Sequence, residues 1–309
     1  MSPETVSPGP AASLTDCPFE IVDVFAERPL AGNPLAVVRV ESMPPPELRQ
    51  AFARETNLSE TTFVATAPDA SGHWPVKIHT PDYELPFAGH PTLGTAWVVR
   101  ERLVGGATTD EIVLALGVGP VRVHFEGAGA GALGWLDAPT VTLQAPPSPA
   151  EVAALLAIDH AVIDPDLLPT TLADTGPRFL IVGLRNRVAL AALRPDAQAL
   201  SAFALEKDGT GILAVAPAGP GEGDFATRMF FETGGLREDP ATGSAACCLA
   251  AVLRTMGRRG TLVLTQGVEM QRPSRIRMQI EADLTRVGGR VFPVLAGTLG
   301  VLDEGGDAP

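Results

Sequence analysis

Hydrophobic and polar residues alternate along much of the chain. FEIVDVF at 19–25 and PLAVVRV at 34–40 have the two-residue period of half-buried strands, with the turn residues AGN (31–33) before the second. PPELRQAFARETN (45–57) opens on prolines and then takes helical spacing, which predicts a helix. Strands follow at 61–67 and 76–80, a helix at 92–103, and strands at 111–117 and 121–126, the last ending in a Gly/Ala loop at 127–134. DAPTVTLQAPPSPA (137–150) has the composition of an inter-domain connection. Beyond it come a helix at 150–158, strands at 178–184, 211–217 and 227–233, and a long helix at 241–257. The remainder, LVLTQGV, RIRMQIEA and RVGGRVFPVLAGTL, is strand-like throughout. Many strands, few helices and no regular βαβ alternation predict an α+β fold. Residues 1–17, rich in Pro, Ser and Ala, predict a disordered lead.

Composition narrows this picture. The chain has 309 residues, 45% hydrophobic and 19% charged, enough to bury a large core, and two domains are expected. No apolar run is long enough to span a bilayer. The first residues lack the basic and apolar regions of a secretory signal, so a cytoplasmic location is expected. A net charge of -13, without a Lys/Arg cluster, argues against a nucleic-acid partner. The 3 cysteines, Cys17, Cys247 and Cys248, form no disulfide framework, and the 5 histidines lack metal-ligand spacing, so neither metal nor haem is expected. A GxGxxA pattern in the 127–134 loop has no following helix and fails the dinucleotide-binding test; no GxxxxGK[ST] is present.

The two helix openings repeat each other. His90-Pro91-Thr92-Leu93-Gly94-Thr95-Ala96 aligns with Asp239-Pro240-Ala241-Thr242-Gly243-Ser244-Ala245 as polar-Pro-x-x-Gly-[Thr/Ser]-Ala. Both helices continue apolar nearly all round, which predicts burial inside a wrapping sheet. Free backbone N–H groups at such openings attract an anion, most simply a substrate carboxylate. Two halves facing each other would put His90 and Asp239 on opposite sides of one cleft, a plausible arrangement for proton transfer.

Four segments carry a resemblance: AGNPLAVV (31–38), NLSETTFV (57–64), ELPFAGHPTLGTA (84–96) and EDPATGSAA (238–246). Together, in this order, they resemble the hallmark segments of the PhzF-like phenazine biosynthesis family, with similarity over about residues 19–303. The resemblance implies a diaminopimelate-epimerase-like fold of two pseudo-symmetric halves, each a barrel-like sheet around a central helix. The expected divisions are a lead (1–17), a first domain (18–140 plus 293–303), a second domain (141–292) and a tail (304–309). It also implies a homodimer and a cofactor-independent isomerase; the family's best-known member moves a proton within the ring of trans-2,3-dihydro-3-hydroxyanthranilate. By the same resemblance Glu60 is the proton shuttle, assisted by His90 and Asp239, and Ser59, Gly89, Gly243 and Ser244 hold the substrate.

The residues leave other readings open. A glutamate at a strand start is commonly just solvated, His90 is the type of residue found satisfied in a core, and Asp239 before Pro240 suits an ordinary N-cap. His79 and Tyr83 lie near the site in sequence, and Arg228 and Arg237 are equally suited to an anionic substrate or to surface charge. Related epimerases of this fold use two thiols; here Cys247 and Cys248 lie inside the helix, which disfavours a thiol pair. An amino-acid epimerase using carboxylates and a non-catalytic small-acid binding protein are the alternatives.

Overall fold

A computed structural model describes residues 13–300, apart from 107, 108, 208 and 234. The first half is a ring of strands. β1 (Pro18–Val24) pairs antiparallel with β2 (Asn33–Val40), and α1 (Pro46–Thr56) crosses back so that β3 (Thr61–Ala65) lies parallel to β2. The helix begins with Pro46, whose missing N–H is not needed there, and ends at Asn57 in the left-handed region. β4 (Trp74–His79) runs antiparallel to β3 and to the short β5 (Glu84–Leu85). After α2 (Gly89–Val98) and a π-helical turn (Val99–Val104), β6 (Glu111–Leu116), β7 (Gly119–Glu126) and β8 (Leu133–Asp137) form a meander that closes on β4. The last strand of the chain, between β8 and β1, completes the ring.

The second half repeats the plan. β9 (Thr142–Gln144), α3 (Pro149–Leu156), β10 (Thr171–Asp174) and β11 (Arg178–Gly183) are followed by α4 (Arg187–Ala192) and α5 (Ala197–Glu206). β12 (Gly211–Pro217), β13 (Phe225–Glu232), β14 (Leu236–Asp239), α6 (Gly243–Thr255), β15 (Gly260–Gln266), β16 (Ser274–Ile280) and β17 (Thr285–Thr298) complete it. Pairing runs β9–β10–β11–β12–β13–β15–β16–β17, with β14 on the rim beside β13. β17 belongs to both rings: Thr285–Gly288 pair with β16 and Val291–Thr298 with β1.

Each ring is filled by one helix. All ten residues of α2 are buried, as are the first eleven of α6, Gly243 to Leu253, because neither sequence has a polar stripe to turn outward. One continuous apolar core runs through both rings and includes Val22, Leu93, Cys247 and Val287. A second cluster lies outside, where α3, α4 and α5 cover β11–β13.

Several elements differ from expectation. The first central helix starts at Gly89 instead of residue 92, so His90 and Pro91 lie inside its first turn. Pro is tolerated there because first-turn N–H groups have no intrahelical acceptor. The helix starts, Gly89 and Gly243, are therefore not the positions the motif alignment puts in register. Residues 1–12 of the expected lead lie outside the described residues; its remainder is ordered, with Leu14 buried against Val38, Val40 and Phe63. The tail at 304–309 also lies outside them. The connection at 137–150 contains strand β9, and α4 and α5 were not anticipated. Their signals were Asn186 and Asp196, whose side chains accept from Ala189 N and Ala199 N as N-caps.

Candidate active site

The two central helices meet end to end. A Cβ on Gly89 would lie 2.6 Å from the backbone of Gly243 and 2.6 Å from Ser244 N, so only glycine permits this approach. In α6 the first intrahelical bond to a helix N–H is Ala246 N to Thr242 O, which leaves Gly243 and Ser244 ahead of it at the mouth of the cleft. Ser59, Glu60, Gly89, His90, Asp239, Gly243 and Ser244, the seven residues singled out in the sequence, line one cavity of about 90 Å³ between the halves. Leu85, Phe179, Met229 and Phe231 supply its apolar wall, and Tyr83, Arg178 and Glu232 its outer part.

Asp239 ends β14, three residues before the helix cap Thr242. It makes no cap hydrogen bond to a backbone N–H; its carboxylate instead collects side-chain donors. Oδ1 accepts from Asn33 Nδ2 at 2.8 Å and Ser59 Oγ at 3.0 Å, and Oδ2 accepts from Thr242 Oγ1 at 2.6 Å. Gln266 secures the segment by donating to Asp239 O at 2.8 Å and to Thr242 Oγ1 at 3.0 Å. Burial raises the Asp239 pKa to about 6, against the opposing pull of the bonds from Thr242, Ser59 and Asn33.

Glu60 follows Ser59 immediately before β3 and is 15% exposed. Burial, and after it the charge of Asp239, pushes its carboxyl well above the usual range. Its Oε2 lies 3.4 Å from His90 Nε2, and both atoms are enclosed without a hydrogen-bond partner. Burial draws the His90 pKa down to about 3, so the imidazole is neutral at physiological pH. Two adjacent unpaired polar atoms are costly in a native interior and mark a site held ready for something else.

Asn33 completes this network. Its Nδ2 contacts Asp239 Oδ1, Ala241 O at 2.9 Å and His90 Nδ1 at 3.2 Å. The turn before it is fixed from the other half: Arg272 Nε donates to Gly32 O at 2.8 Å, Arg272 Nη2 reaches Ala31 O at 2.9 Å and Asp23 Oδ1 at 2.5 Å, and Gly32 N donates to Pro273 O at 3.2 Å. Gly32 has φ +71, and a Cβ there would sit 2.3 Å from Val24 O. Sequence reasoning quoted Asn33 within AGNPLAVV but did not single it out, and it passed over Thr242 and Gln266. The signal for Asn33 was available, since a polar amide opening an otherwise apolar strand needs a partner.

Other candidates fall elsewhere. His79 does not line the cavity: Arg49 Nε donates to its Nε2 at 3.0 Å and its Nδ1 meets Gln50 Oε1 at 2.9 Å. Tyr83 does line it, 50% exposed. Arg228 is bound to Glu238 through two bonds of 2.8 and 2.7 Å and to the carbonyls of Leu190, Ala191 and Leu193, so it is neither surface charge nor a cleft residue. Arg237 is exposed and outside the cavity lining. Cys247 and Cys248 are buried within α6 away from the cleft, and burial pushes the Cys247 thiol up to about 12. No group of three or more His, Cys, Asp and Glu suited to a metal occurs among the described residues, and no helix among them is long and apolar enough to cross a membrane.

A family model described as phenazine biosynthesis-like protein matches residues 22–297. The trans-2,3-dihydro-3-hydroxyanthranilate isomerase of Pseudomonas fluorescens is 38% identical over 278 residues, covering 87% of this chain and 93% of that protein. Among solved structures, one described as a predicted epimerase from Pseudomonas aeruginosa superposes with a TM-score of 0.79 at 32% identity, covering 92% of this chain and 99% of its own. A probable proline racemase from Agrobacterium radiobacter, with bound carbonate, superposes with a TM-score of 0.64 at 13% identity over 93% of each chain. That last likeness concerns the fold alone, and the fold is the diaminopimelate-epimerase-like one expected from the sequence.

Proposed function

The chain belongs to the phenazine biosynthesis-like PhzC-PhzF family and is an isomerase, and from that premise we propose that Glu60 moves a proton between two carbons of a small cyclic carboxylic or amino acid. The observation that carries this reading is the Glu60–His90 pair, buried, unsatisfied and facing the cavity. In the forward step the Glu60 carboxylate takes a proton from a carbon beside a conjugated system. The C–H electron pair enters that system, a double bond shifts, and Glu60 returns the proton to a second carbon. A carboxyl group with a raised pKa suits both halves of this cycle near neutral pH, as base when ionised and as acid when protonated.

His90 and Asp239 orient the substrate and stabilise charge as it moves, and Ser59 and Gly89 contribute to holding it. Gly243 and Ser244 at the start of α6 receive the carboxylate, where unpaired N–H groups and the helix dipole favour a negative charge. The proton transfer needs no electron carrier or metal, so no cofactor enters the scheme. We read the protein as a cytoplasmic homodimer acting on a free small molecule, with neither nucleic acid nor membrane as partner; phenazine or another secondary metabolite is the setting the relatives suggest.

Incubation in D₂O with trans-2,3-dihydro-3-hydroxyanthranilate and a panel of cyclic amino acids, followed by NMR, tests this reading. Deuterium at a shifted double bond, absent with Glu60→Gln, is the expected result. Exchange confined to an alpha carbon would replace the isomerase with an epimerase. Ligand-induced thermal stabilisation without any exchange would leave a binding protein.

A further inference from the structure

We propose that Asn33 fixes the tautomer of His90 and thereby decides which oxygen of Glu60 carries the transferred proton. This rests on the reading of Glu60 as the shuttle, and it assigns a positioning role to a residue that need not touch substrate.

The side-chain amide of Asn33 is fully buried, and its orientation is forced. Its NH₂ group faces Asp239 Oδ1 at 2.8 Å and Ala241 O at 2.9 Å, two oxygens that call for a donor. Turning the amide over would set Oδ1 against a carboxylate oxygen and a carbonyl oxygen, and would leave both N–H groups in the place where Oδ1 now has no partner. The carbonyl of Ala241 cannot take on a proton to relieve that clash, so the orientation holds whether or not Asp239 is ionised.

With the amide so fixed, His90 Nδ1 at 3.2 Å meets a donor group. A proton on Nδ1 would point at the amide hydrogens, so Nδ1 is the bare nitrogen and the ring carries its single proton on Nε2. Nε2 is the atom 3.4 Å from Glu60 Oε2, and neither has another partner. The Nε2–H therefore serves Oε2 as a donor once the site tightens around substrate. An oxygen that accepts from His90 is a poor place for the mobile proton. Oε1, the oxygen not enclosed without a partner, is then the atom that takes the proton from one carbon and delivers it to the other. The rigid turn that presents Asn33, clamped by Arg272 from the other half, ties this choice to correct docking of the halves.

The test begins on the unmodified protein. With ¹⁵N-histidine labelling, the His90 signals, identified by their loss in His90→Gln, should show a bare Nδ1 and a protonated Nε2 at neutral pH. Asn33→Asp replaces the donor by an acceptor and should move the proton to Nδ1. Turnover should then fall about 10–100-fold, the range for losing the group that orients a functional imidazole, with KM little changed. In a Glu60→Gln background the same substitution should cost nothing further. A wild-type His90 protonated on Nδ1, or an unchanged tautomer in Asn33→Asp, would overturn the proposal. Asn33→Ala serves if the aspartate variant does not fold: its His90 should populate both tautomers. Failure of the shuttle reading is distinguishable, because it would show as retained turnover in Glu60→Gln while the nitrogen signals stay as described.

Discussion

Two buried histidines in the same half of the molecule show what separates a structural site from a chemical one. His79 is 2% exposed and His90 is 3% exposed, and burial leads the causes that lower both, to about 4 and about 3. Around His79 each nitrogen is satisfied: Arg49 Nε faces Nε2, Gln50 Oε1 faces Nδ1, and Glu84 closes the group through Arg49 at 3.0 Å and Lys77 at 3.0 Å. Around His90 only Nδ1 has a partner, and the other nitrogen stands before a carboxylate oxygen that is itself unpaired. The first arrangement ties α1 to β4 and β5. The second leaves hydrogen-bonding capacity unused beside a cavity, which is what a substrate requires. Burial and depressed basicity are common to both histidines; the vacancy is not.

The largest effect that could break this contrast is at Glu60. Glu60→Gln should lower turnover by about 10²–10⁴-fold while the protein stays folded, since a positioned proton-transfer group contributes on that scale. Full turnover in that variant would falsify the role given to Glu60. His90→Phe should come next. Loss of its Nε2 donor should reduce turnover by about 10²–10³-fold, the scale seen on removing one preorganised donor. Its thermal midpoint should hold or rise, because an unsatisfied buried nitrogen is removed.

His79→Phe should do the reverse. It leaves Arg49 Nε without its acceptor and should lower unfolding free energy by about 1–3 kcal/mol, read from urea melts. Turnover should stay within about threefold, a change worth well under 1 kcal/mol in the barrier. Equal turnover losses in the two phenylalanine variants would erase the distinction drawn here.

The smallest effect is one the two histidines share. A histidine whose folded pKa is depressed adds stability that is fully present above the unfolded value of 6.5 and is lost as pH falls toward the folded value. Either variant should therefore flatten the rise of stability between about pH 4 and 6.5, by at most about 1.4 kcal/mol per pH unit. Asp239 slopes the other way: raised from 3.8 to about 6, it is most favourable at low pH and loses stability as pH rises through that interval. In wild type the Asp239 slope opposes the histidine slopes, and His90→Phe should expose it. The pH dependence of stability thus reports burial at both sites, whereas activity and the sign of the stability change separate them.

This contrast also explains what could be read from the sequence. Most strands were legible from their alternation and the two central helices from their unbroken apolar character, while the short β9 and β10 carried too few residues to show a pattern. Glu60, His90 and Asp239 were legible because the motifs carry them. The α4–α5 region was not, because RVALAALRPDAQALSAFALE is apolar without clear phase and Pro195 interrupts it. His79 and His90 were indistinguishable as letters, since satisfaction depends on Arg49, Gln50 and Asn33 arriving from distant segments. Arg228 suited an anionic substrate or surface charge equally as a letter, and its carbonyl partners at the end of α4 show that it serves neither. Asn33 needed partners from two distant segments, His90 on one side and Asp239 with Ala241 on the other, to reveal its role.

The central claim is that the cleft holds Glu60 ready to give and take a proton near neutral pH. Infrared difference spectra between wild type and Glu60→Gln, recorded across a pH titration, observe that proton directly. A protonated carboxyl band that belongs to Glu60, persists well above the ordinary carboxylate range and disappears in the variant is the predicted result. A Glu60 that titrates at the ordinary carboxylate value of 4.5 would contradict it.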